Sequence, residues 1–195
     1  MDCHDENYKI PITLAEYPNC FITVRYFYEI CVGENTGTGI TVNVFDFVIE
    51  GGLCQELIDD YTQANNDGTI DEFNYNINVQ IWPQINDYIL SSQLALSSPI
   101  TTIQYSISQC QASCFIIKEK RGGGYELIQQ NVNCGTECCQ RSNTYTANAE
   151  GGWDVSTTIW NLPDTFCEEN DVDCPHQSVA WTTSCSGRCE ELNGF

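Results

Sequence analysis

The chain has 195 residues, enough for one core of respectable size or two small ones. Acidic residues outnumber basic ones 27 to 7, and the formal net charge of −20 repels nucleic acid and anionic lipid, setting both aside as partners. No run approaches the ~18 apolar residues of a membrane helix, and thirteen cysteines without a single C-x2-C pair exclude the common metal-cluster patterns.

That cysteine usage points instead to a disulfide framework formed in an oxidising compartment. Thirteen is odd, so one thiol stays free or joins another chain. Met1-Asp2-Cys3-His4 opens on polar residues, so the disulfide reading implies a leader already removed and an extracellular or cell-surface location.

Residues 1–20 read as an arm of little periodicity, tethered through Cys3 and Cys20, with Cys3 the candidate for the free or intermolecular thiol. From Phe21 to Ile30 the alternation of Ile22, Val24, Tyr26, Tyr28 and Ile30 predicts a strand, and Ile40 to Ile49 a second. Asp46 interrupts the apolar face of Ile40, Val42, Val44 and Val48 and marks an edge or a bulge. After Gly51-Gly52, Leu53, Leu57, Ile58 and Tyr61 recur at helical spacing. Asn65 to Asp71 then resembles part of an EF-hand or dockerin-type calcium loop through Asn65, Asp67, Gly68, Ile70 and Asp71. It lacks the first ligand, at Gln63, and the bidentate twelfth, at Asn74. The competing reading is an Asp-Gly turn leading into a strand.

That strand is Phe73 to Ile81, where Phe73, Tyr75, Ile77, Val79 and Ile81 alternate with Asn74, Asn76, Asn78 and Gln80, predicting one buried and one wet face. Pro83 suits the first turn of a helix over PQINDYILSSQLAL, which Pro99 ends. Two apolar-rich runs, Thr101–Lys120 and Tyr125–Cys139, flank Gly122, Gly123 and Gly124 and predict a β-hairpin. The pairs Cys110/Cys138 and Cys114/Cys134 are concentric about Gly124, so one antiparallel register would oppose both at disulfide distance. The same register places Ala112, Ile116 and Val132 on the cysteine face and Gln111, Ser113, Gln129, Asn131 and Asn133 on the other. Lys118, Lys120 and Arg121 gather three of the seven basic residues at the hairpin tip, poised for an acidic patch on another copy.

Residues 140–195 hold Trp153, Trp160 and Trp181 and few clear strands, with Ser156–Trp160 and Ser178–Thr183 the best candidates. Cysteines at 167, 174, 185 and 189 pin this segment, and 140–150 is the favoured place for a boundary between the 21–139 core and a C-terminal extension packed on it. Trp153, after Gly151-Gly152, and Trp181 are the candidates for stacking on a glycan. His4 and His176 lack any catalytic signature, so no enzyme is expected. No cofactor is expected beyond calcium.

The segment 85–145 combines a helix-like stretch, a strand carrying Ala112-Ser113-Cys114, a turn, and then Cys134 and the Cys138-Cys139 doublet. In this order it resembles cysteine-rich secreted proteins of Bacteroidota-type bacteria, although it has no cysteine just after Pro99. The resemblance implies an exported bacterial origin and carries no catalytic residue. The residues together predict a mainly β, disulfide-stapled, sandwich-like antiparallel domain with one or two short helices, or else an α+β one. Its expected role is an extracellular structural or adhesive subunit that self-associates or binds other extracellular proteins. The alternative is a secreted carbohydrate- or calcium-binding module.

Overall fold

The computed structural model describes residues 2–33, 37–50, 52–91, 100–108, 110–121, 123–134, 138–160, 167, 172–175 and 179–193. The fold is mainly β, braced by disulfides and carrying two helices. It begins with β1 (Asp2–Thr13), which pairs antiparallel with β2 (Phe21–Gly33) along its whole length. The segment expected to be an arm is thus a sheet strand from Asp2 to Thr13. β2 pairs in turn with β3 (Gly37–Glu50), and a register shift at Arg25/Tyr26 places a bulge in β3 between Val44 and Asp46. One extra residue reverses the pleat. Ile40 and Val42 are buried before the bulge and Phe47 and Ile49 after it, so the core face passes from even to odd positions. The interruption at Asp46 marks that switch.

The helical layer follows as α1 (Gln55–Asp67) and α2 (Ile70–Ser91). Leu57, Ile58 and Tyr61 are buried as their spacing predicts, whereas Leu53 precedes the helix and is 72% exposed. Gly68 ends α1 at φ 72°, and the Thr69 N–H reaches back to the Ala64 carbonyl at 2.8 Å. A left-handed residue closing the last turn is the reason a glycine stands there. The predicted strand at 73–81 is overturned, because those residues lie inside α2. Ile70, Asn74, Ile77, Asn78, Ile81, Ile85 and Ile89 are buried along one helical stripe, and each buried isoleucine contributes about 1.5–3 kcal/mol. Pro83 sits inside this helix rather than at its first turn.

β4 (Ile100–Ser108) runs parallel to the first half of β3, while β6 (Tyr125–Asn133) runs antiparallel to its second half. The sheet therefore forks at β3. One branch continues from β6 to β5 (Cys110–Glu119), the other from β4 to β7 (Cys138–Ala147) and β8 (Trp153–Trp160). The predicted hairpin is β5–β6, with Gly123 and Gly124 at φ 93° and 89° closing its turn.

The register is centred on position 122, not on Gly124, so Cys114 faces Gln130 and the Cys134 N–H bonds the Cys110 carbonyl at 3.0 Å. Neither predicted cross-strand disulfide forms. Cys110 joins Cys167, Cys114 joins Cys174 and Cys134 joins Cys185. Cys139 joins Cys189, and Cys20 joins Cys54. The side chain of Cys138 lies outside the described residues. The shift in centre moves each partner by an even number of residues, so the predicted faces survive although the partners do not. The last segment adds β9 (Trp181–Thr182) and β10 (Ser186–Gly187) along the outer side of β5, then a 3-10 helix over Cys189–Asn193.

Candidate functional site: an open sheet edge

Three outer edges of this sheet differ in how they are guarded. The outer side of β5 is covered by β9 and β10, with the Ala180 and Thr183 N–H groups bonded to the Phe115 and Ser113 carbonyls at 2.8 and 2.9 Å. Among the described residues β1 pairs with β2 alone, but its sequence holds Asp2, Asp5, Glu6, Lys9 and Pro11, the charges and proline that discourage further pairing. β8 ends its branch, and among the described residues no strand pairs with its outer side. Its sequence, WDVSTTIW, has no lysine, no proline and a single charge at Asp154.

The layer beneath holds β8 firmly. Asn86 of α2 accepts hydrogen bonds at its Oδ1 from the hydroxyls of Tyr105 and Tyr145, at 2.7 and 3.0 Å. Arg141 of β7 donates from Nη1 to the Leu192 carbonyl and from Nε to Asn143 Oδ1, at 2.8 and 3.1 Å. Asn143 Oδ1 also accepts from the Thr157 hydroxyl at 3.0 Å, which anchors the middle of β8. The turn before β8 is clamped by Asn148, whose Oδ1 accepts from the N–H groups of Glu150 and Gly152 at 3.2 and 2.8 Å.

Register then sets the faces. Val155 opposes Tyr145, Thr157 opposes Asn143 and Ile159 opposes Arg141, so these three share the helix-bearing face. Val155 and Ile159 remain 55% and 40% exposed there, because α2 does not extend over the last strand. Every second residue of an edge strand turns its N–H and C=O away from its one neighbour. β8 thus combines backbone groups that no described strand pairs, two exposed apolar side chains and almost no charge on a strongly acidic molecule.

The other predicted positions lie apart from this edge. Asp67 closes α1 and takes two hydrogen bonds from Gln63 Nε2, at 2.9 and 2.8 Å, while the Asn65 carbonyl accepts from the Gly68 N–H. Asp71 lies in the first turn of α2 and accepts from the Ser184 N–H at 3.0 Å. Among the described residues, no three His, Cys, Asp or Glu side chains converge on a metal-sized site. Trp181 stacks on Phe115 at 5.6 Å, which occupies one face of the indole. Trp153 is half-buried against the core at the start of β8. Cys3 sits opposite Cys31 in the β1–β2 ladder, and Cys31 is disulfide-bonded; the side chain of Cys3 lies outside the described residues. His176 lies outside them altogether.

No family model matches this chain, and no curated protein or solved structure does either.

The interior holds polar residues whose burial no sequence signal announced. Tyr61 donates to Asn74 Oδ1 and Gln129 Oε1, both at 3.4 Å, and Asn74 and Gln129 donate in turn to the Ser113 hydroxyl at 3.0 and 3.1 Å. Burial pushes the Tyr61 phenol well above its ordinary range. Nearby, Arg188 pairs with Glu191, whose Oε1 also accepts from Asn78 Nδ2 at 3.3 Å. Burial raises the Glu191 carboxyl and Arg188 opposes that shift. These groups fasten α2 and the 3-10 helix to the sheet.

Proposed function

We propose that the protein is an extracellular structural subunit that associates by adding strands to the open edge at β8. The observation that carries this reading is the contrast between the two long outer strands. β1 bears charges and a proline, whereas β8 is rigidly seated and bears almost no device that would prevent pairing. Main-chain hydrogen bonds along such an edge supply affinity, and alternate side chains supply selectivity.

Covalent bracing supports the same role. Four disulfides bind the C-terminal segment to β5, to β7 and to the chain just after β6, closing separations of 50 to 60 residues. Each such closure stabilises by about 4 kcal/mol in the chain-entropy picture, although overlapping loops do not add fully. A framework of this kind suits a protein that persists outside the cell. Negative-stain microscopy of the oxidised protein over a concentration series tests the role. Discrete oligomers or filaments are expected, and isolated monomers at every concentration would contradict it.

A further inference from the structure

Resting on that reading, we infer that the occupant of the β8 edge is β8 of a second copy, antiparallel, with a two-fold axis passing through Thr157. A two-fold axis normal to a continuous sheet keeps each side chain on its own face. Opposed residues must then be both odd or both even in number, and the axis must fall on a residue rather than between two. Each residue of WDVSTTIW is such a centre, so the side chains and charges choose among them.

The centre at Thr157 places Val155 of each copy against Ile159 of the other, on the helix-bearing face. The two exposed apolar side chains of the strand thus cover each other twice, a favourable cross-strand pairing. Ser156 meets Thr158 on the opposite face. A centre at Ser156 would instead set Val155 against Thr157, whose hydroxyl is already bonded to Asn143.

Charge disfavours centres close to Asp154 and is compatible with the centre at Thr157. Two chains of net charge −20 repel, so contact favours a strip with little charge. With the axis at Thr157 the two Asp154 residues stand six positions apart along the ladder, about 20 Å at the usual rise. That exceeds the ~8 Å screening length at physiological salt. With the axis at Val155 the two aspartates would be near neighbours. A seven-residue ladder, Asp154 to Trp160 of each copy, is a small contact, so the dimer forms as concentration rises.

Sedimentation equilibrium on three oxidised proteins tests this pairing. The unaltered chain is expected to dimerise, and Ile159→Lys to weaken dimerisation by about ten-fold or more by placing a lysine on the edge. The double variant Val155→Glu with Ile159→Lys is expected to recover dimerisation, because opposite charges then face each other at both symmetry-related positions. Within one strand these positions are about 13 Å apart, so recovery reports the contact between copies. Both side chains are exposed, and circular dichroism is expected to match across the set. Undiminished dimerisation of Ile159→Lys, or no recovery in the double variant, overturns the register while leaving assembly by another surface intact. A monomeric unaltered chain at all concentrations overturns the assembly reading itself.

Discussion

Arg188 and Glu191 show how a single buried pair can hold a terminal segment. Both are almost wholly inaccessible and lie side by side, with Asn78 of α2 donating to the carboxylate. Glu191→Gln strips the guanidinium of its counter-charge and is expected to cost about 3–5 kcal/mol in denaturant unfolding. Arg188→Met combined with Glu191→Met is expected to recover most of that loss, since neither charge then remains buried. At alkaline pH the tyrosines dominate. Burial, ahead of any neighbouring charge, raises the phenols of Tyr61 and Tyr105 above their ordinary value of 10.0. Their folded values exceed their unfolded ones, so the stability they contribute is fully present below the unfolded value near ~10 and falls as pH climbs through the raised ones. Phenolate absorbance is expected to rise for these two residues only together with unfolding, whereas gradual ionisation of a folded protein would contradict their burial.

The elements differ in how openly the sequence declared them. β2, β3, the β5–β6 hairpin and α1 were legible because each has a sustained apolar period of one kind, and Asp46 announced the bulge through its misplaced charge. α2 was not. Over Phe73–Ile81 its asparagines fall at every second place and imitate a half-wet strand, but Asn74 and Asn78 point into the core. Only the longer row Ile77, Ile81, Ile85, Ile89 carries the helical spacing, and Pro83 interrupts it for a reader of sequence. Ile85→Ala is accordingly expected to cost about 2–5 kcal/mol, measured by thermal or denaturant unfolding. β7 stayed hidden because its buried side beyond Cys139 consists of Arg141, Asn143 and Tyr145, residues that read as solvent-facing until Asn86 is found bonded to Asn143 and Tyr145.

At the scale of the whole molecule, composition foresaw the disulfide-braced β fold, and concentric numbering could not foresee its connectivity. Cys110 and Cys114 bond to a segment roughly sixty residues away, over a face that strand spacing does not describe. The candidate site was half visible. Ser156–Trp160 was legible as a strand, but its position at the end of a branch depends on β7, which the sequence concealed. Net charge adds a further expectation. Because two acidic copies repel, raising ionic strength should strengthen association, and sedimentation at low and high salt reads the direction. The most direct measurement is amide hydrogen exchange of peptides spanning Trp153–Trp160 in dilute and concentrated protein. Slowed exchange in β8 that appears only on concentration is the expected result. Association with unchanged exchange in β8, or with new protection confined to β1, would contradict an assembly built on this edge.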